Sequence, residues 1–139
     1  MSPEYMLMLG GVFIIVLTFL VISIKFVSRR AKLKPRKKRF DEKWKNLQQL
    51  LKDKTKWPEA ILEADKLLDR ALIKRGYKGQ SMGERLVSAQ REFSNNDKVW
   101  FGHKLAKKLI EDPELKLRES DVKNALIGIR QGLRDLGAL

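Results

Sequence analysis

The chain has 139 residues, 43% of them hydrophobic and 34% charged, with a formal net charge of +13 and no cysteine. That length holds one compact domain plus a tail or an anchor. Without cysteine there is no disulfide framework, thiol nucleophile or cysteine-based zinc site, and the one histidine, His103, leaves no second imidazole for a paired metal site or relay.

The positive charge is concentrated at one end. Through Arg39 there are nine basic residues against the single acid Glu4, or +8, while the hundred residues that follow hold 21 basic and 16 acidic residues, or +5. The basic balance therefore describes a short segment and does not mark the whole body as a DNA-binding domain.

Met6 to Ile24 reads MLMLGGVFIIVLTFLVISI, nineteen residues without a charge, and Phe26 and Val27 extend it past Lys25. About 22 residues at ~1.5 Å each give roughly 33 Å, enough for a hydrocarbon core of about 30 Å. An isolated segment crosses lipid only as a helix, because lipid offers the backbone no hydrogen-bond partner. A cleavable signal peptide would carry a basic flank before a shorter apolar run and small residues after it. Here MSPEY has no Lys or Arg, and basic residues follow the run, so a retained anchor over 6–27 is expected after a short external N-terminus, 1–5.

Arg29 to Arg39 carries eight Lys or Arg in eleven positions: Arg29, Arg30, Lys32, Lys34, Arg36, Lys37, Lys38 and Arg39. Such a flank keeps its side of the membrane in the cytoplasm. The expected topology is thus a single-pass inner-membrane protein with its N-terminus outside and its body in the cytoplasm. The same cluster attracts anionic lipid headgroups, and it also suits an acidic partner or nucleic-acid phosphates. No aromatic is interleaved in it, which removes the stacking platform of single-strand binding and places nucleic acid behind lipid. Pro35 is expected to interrupt any helix here, making 28–39 a basic stalk.

From residue 40 to 139 the spacing is helical throughout, and the class is all-α: an antiparallel bundle of about five helices. Phe40, Trp44, Leu47 and Leu51 stripe a first helix running to about Thr55. Pro58 opens a second, with Ala60, Ile61, Ala64, Leu67, Leu68, Ala71 and Leu72 on its apolar face and Gly76 as its stop. Ser81 with Glu84 reads as a capping box for a short third helix bearing Met82, Leu86 and Ala89, with Phe93 as a further candidate. The SNND run at 94–97 caps a fourth, whose apolar face is expected to hold Val99, Trp100, His103, Ala106 and Ile110, widened by Phe101, Leu105 and Leu109. Ser120 is the expected cap of the last, with Val122, Ala125, Leu126, Ile129, Leu133 and Leu136 before Gly137. Trp44 and Trp100 read as core; Trp57 and Tyr77 read as exposed contact points.

No catalytic constellation emerges. His103 sits on an apolar stripe and is expected to be a partly buried histidine hydrogen-bonded to a neighbour. Glu59, Glu63, Asp65 and Asp69 read as a solvated face of the second helix, since a di-metal bundle would need a Glu-x-x-His partner that does not occur. The glycines of GYKGQSMG match no phosphate-loop pattern and join helix to helix. No cofactor or metal is expected, and no polar constellation marks a small-ligand pocket. HKLAKK with Arg118, Lys123, Arg130 and Arg134 outlines a basic face on the bundle.

The stretches KWPEAILEADKLLDRAL, RGYKGQSMGERL, VWFGHKLAKKLIED and LRDLGAL resemble a group of small bacterial proteins that carry an N-terminal membrane helix and a HEPN-like helical cytosolic domain. That resemblance implies a helical bundle, pairing between copies as a homodimer, and descent from ribonuclease-type domains. HEPN ribonucleases need an Arg followed four to six residues later by His on one helix. Here Ala106 and Lys107 stand at the arginine's place and Glu111 at the histidine's, and no arginine precedes His103 at the required spacing. The resemblance therefore carries over no catalytic residue. The expectation is a membrane-anchored, non-enzymatic bundle that binds another protein; the alternative is a tethered RNA-binding or degenerate ribonuclease domain.

Overall fold

The computed structural model describes residues 2–139, with side-chain surroundings over 2–25 and 37–139. All regular structure among the described residues is helical: α1 (Pro3–Leu50), a 3-10 turn (Lys54–Lys56), α2 (Trp57–Lys74), α3 (Met82–Ser88), α4 (Asn96–Glu111) and α5 (Glu119–Asp135). The chain falls into two compact units, one ending at Arg36 and the other Lys37–Leu139.

In the first unit, Pro3–Lys25 is a helix with mean hydropathy 2.8 and none of its apolar stretch buried, long and apolar enough to cross a membrane. Leu7, Ile15 and Phe19 are each at least two-thirds exposed. Two of its hydroxyls close onto its own backbone: Thr18 Oγ1 donates to the Ile15 carbonyl and Ser23 Oγ to that of Phe19, both at 2.8 Å. A hydroxyl satisfied inside its own helix asks nothing of the surroundings. The interruption expected at Pro35 does not occur, because α1 is helical from Pro3 to Leu50. Proline's fixed φ of about −65° is itself a helical value, and inside a helix it removes one hydrogen bond and crowds one turn without forbidding the conformation.

The second unit is the bundle. Phe40, Trp44 and Leu47 of α1 are buried, and α1 stops at Leu50, short of the expected Thr55. Asp53 there accepts from the Thr55 N–H and hydroxyl and starts the 3-10 turn. Trp57 Nε1 donates to the Leu51 carbonyl at 3.0 Å, tying the corner to α2. The core is centred on Ile61, Leu68 and Leu72 of α2, Leu86 of α3, Val99 of α4, and Ile129 and Leu133 of α5, all fully buried.

Two helices end in the same way. Gly76 at φ +85° and Gly137 at φ +73° adopt the left-handed conformation. The Tyr77 N–H then reaches the Leu72 carbonyl, and the Ala138 N–H that of Leu133. Glycine takes that conformation without the strain a Cβ would bring, which is why each helix stops there. Ser81 Oγ accepts from the Glu84 N–H as expected, while Glu84 reaches back to the Gln80 N–H. Asn95 caps α4 through the Lys98 N–H. Ser120 is not a cap: α5 begins at Glu119, after Arg118, with no side-chain cap.

α4 and α5 lie backbone against backbone. A Cβ on Gly128 would fall on the Lys98 carbonyl, and one on Gly102 would come within 2.7 Å of Ile129 and 2.9 Å of the Ala125 carbonyl. Gly132 faces Val99, Leu68 and Phe93. Small residues at these three positions let the two helices approach more closely than side chains would allow.

Candidate functional site

The polar interior of the bundle lies between α2, α3 and α4. His103, on the buried face of α4, is 7% exposed, and Asp65, on α2, is 8% exposed. The ring Nδ1 is 3.0 Å and 3.1 Å from the two carboxylate oxygens, so Nδ1–H donates into the fork of the carboxylate. The Trp100 ring and the imidazole are packed edge to face, their centroids 5.8 Å apart. Burial pushes the Asp65 carboxyl above its ordinary range, and the hydrogen bond from His103 pulls it down without cancelling the effect. One turn along α2, Asp69 holds Arg85 of α3 through two bonds, Nε to Oδ1 at 2.7 Å and Nη2 to Oδ2 at 2.9 Å. Arg85 also donates to the Gly79 carbonyl at 2.6 Å.

This corrects the reading of α2. Asp65 is not on a solvated face, and Asp69 is half-buried; Glu59 and Glu63 do face solvent. Asp65 stands four residues after Ile61 and three before Leu68, on the apolar stripe itself, so its position was visible in the spacing while its charge pointed the other way. The partner expected for His103 is Asp65, contributed by another helix 38 positions earlier. A carboxylate on Nδ1 fixes the tautomer and the ring orientation, which is what a general base requires. Neither the groove beside Lys43 and Arg70 nor the groove beside Phe101 and Ile127 is lined by Asp65 or His103. The pair thus joins α2 to α4 without facing either groove. Among the described residues no cluster of three or more His, Asp or Glu could hold a metal ion.

One groove of about 350 Å³ runs between α1 and α2, with Lys43, Asn46, Glu63 and Arg70 around Leu47, Leu50 and Leu67. Another, about 340 Å³, lies on the outer side of α4 and α5, lined by Asp97, Lys98, Phe101, Asn124 and Ile127. Phe101 is 40% exposed and Ile127 55%. The glycine contact explains them: Gly102 and Gly128 occupy the seam, and the residue before each is carried to its lip. The exposed apolar residues of the bundle are Ile73, Val87, Phe101, Ile110 and Ile127. Ile110 therefore lies outside the buried face expected for it, at the end of α4 where no helix covers it. Trp57 and Tyr77, expected as exposed contacts, are half-buried against the core instead.

Of the basic cluster, Lys37, Lys38 and Arg39 are exposed on α1. The side chains of Arg29, Arg30, Lys32, Lys34 and Arg36 lie outside the described residues. No protein family, curated protein or solved structure matches the chain.

Proposed function

We propose that this is a single-pass inner-membrane protein, its N-terminus outside, that displays a non-enzymatic helical bundle in the cytoplasm for binding another protein. The observation that supports this reading is a contrast within the bundle. Its acid–base groups are turned toward one another, Asp65 with His103 in the interior and the half-buried Asp69 with Arg85, while Phe101 and Ile127 are left open at the surface. An apolar groove kept on the outside of a folded bundle suits a macromolecular contact. The fully exposed apolar helix over Pro3–Lys25 supports lipid as the surrounding of the other unit. The basic residues from Arg29 to Arg39 then lie at the cytoplasmic headgroups, where each adds about 1 kcal/mol of attraction to anionic lipid.

The relationship to HEPN-like bundles is part of this proposal, with the catalytic Arg/His pattern lost. The alternative, a tethered RNA-binding or degenerate ribonuclease domain, draws its support from the cations of α4 and α5. The chain's lack of cysteine makes the topology directly testable. With Ser2→Cys and Glu111→Cys introduced one at a time, an impermeant maleimide should label the first in intact cells and the second only after permeabilisation. Labelling of the second in intact cells would overturn the orientation. Release of the chain by alkaline carbonate would overturn the anchor.

A further inference from the structure

We infer that the groove between α4 and α5 receives the apolar side chains of an acidic amphipathic helix from a partner protein. This rests on the interaction-module reading above and names its surface and the chemistry of its partner. The groove's walls are Phe101 and Ile127, and its volume of about 340 Å³ takes a few anchor side chains. Those walls are held in place, because Gly102 and Gly128 press the two helix backbones together directly beneath them. The furrow between two helices is the geometry that an i, i+4 apolar stripe fits, and no strand edge is present among the described residues for an extended segment to join.

Charge selects the partner. Lys98 lines the groove, and Lys104, Lys123 and Arg130 stand three or four residues from Phe101 or Ile127 on the same helix faces, all exposed. One acid, Asp97, shares the groove with them. Among the described residues none of these four cations is engaged in an ion pair. A second copy of this face would bring cations against cations, whereas a helix with carboxylates beside its apolar stripe meets both the groove and its rim. Single-stranded nucleic acid fits less well. It wants successive aromatic platforms, whereas the groove offers one ring beside an aliphatic wall and an acid.

The test uses the full-length chain in lipid nanodiscs. The probes are two synthetic helical peptides with the same Leu/Phe stripe, one with Glu and one with Lys on its polar face, and a labelled uridine oligonucleotide. The Glu peptide should bind at least roughly tenfold tighter than the Lys peptide and weaken with salt, as steered charge contacts do. Phe101→Ser or Ile127→Ser should each weaken it roughly tenfold, the loss typical of an apolar anchor. Ile73→Ser, at an exposed apolar site on α2, should leave it unchanged. The inference is overturned if the Glu peptide does not bind, if the Lys peptide binds equally well, or if Phe101→Ser is without effect. Oligonucleotide binding that Phe101→Ser abolishes would overturn it in favour of RNA.

A photo-crosslinking residue placed at Phe101 or Ile73 in cells separates this inference from the broader reading. Protein crosslinks at position 73 alone would overturn the groove assignment and leave the interaction module standing. Crosslinks at neither position would remove both.

Discussion

Asp65 and His103 meet across the interior of the bundle with Nδ1 3.0 Å and 3.1 Å from the two carboxylate oxygens, the imidazole being the only histidine side chain in the protein. Removing the acceptor strands a buried N–H, so Asp65→Ala should lower stability by about 1–3 kcal/mol. Asp65→Asn keeps an acceptor and removes the buried charge, and should cost less. Denaturant midpoints at neutral pH would rank the two. The pH dependence follows from the raised carboxyl. A folded pKa above the unfolded value of about 3.9 contributes stability that is fully present below that value and lost as pH rises through the folded pKa. Relative to Asp65→Asn, the wild-type chain should therefore gain stability as the pH is lowered through that titration.

Asp135 should respond in the opposite sense. Burial pushes its carboxyl up, but hydrogen bonds from the Ser94 N–H, the Gln131 amide and the Ser94 hydroxyl outweigh that and hold it below the ordinary carboxylate range. A depressed folded pKa contributes stability present above the unfolded value and lost as pH falls through the folded one. Asp135→Asn should flatten the acid limb of the stability curve, from about pH 5 downward. Urea midpoints measured across that range would show it, and an unchanged slope would contradict the assignment.

Gly128→Ala tests the seam between α4 and α5. In an exposed helix interior this change stabilises by roughly 0.5–1 kcal/mol. Here the added Cβ falls on the Lys98 carbonyl, a backbone atom that yields only if the helices separate. The expected outcome is a loss of about 1–3 kcal/mol, the usual cost of overpacking. The sign of the change in thermal midpoint decides the matter.

Val16→Lys tests the anchor. Val16 lies near the middle of the exposed apolar helix, where a lysine costs about 2.5–3.5 kcal/mol to insert into lipid. The carbonate-resistant fraction should fall, whereas Ile110→Lys, at an exposed position of the bundle, should leave it unchanged.

Much of the helical layout is legible in the residues because it is governed locally. The apolar stripe of α2, the stops at Gly76 and Gly137 and the caps at Ser81 and Asn95 depend on spacing within a turn or on one backbone conformation. The apolar run before Lys25 is of the same kind, since length and the lack of charge alone make it long enough to span. Local rules also misled: the proline rule suggested a break within 28–39, and a serine suggested a cap at position 120.

What only the tertiary structure decided is what each face meets. Asp65 looks solvated until α4 brings His103 against it, because a buried carboxylate is tolerated only with a partner, and that partner lies 38 residues away. Asp69 and Arg85 are likewise joined across two helices. Phe101 and Ile110 share an apolar character in the sequence, and both end exposed, one at the lip of a groove and one at an uncovered helix end. Periodicity names the apolar side chains of a helix, but which of them are covered depends on how closely the neighbouring backbone can approach. Here glycines on two helices set that distance.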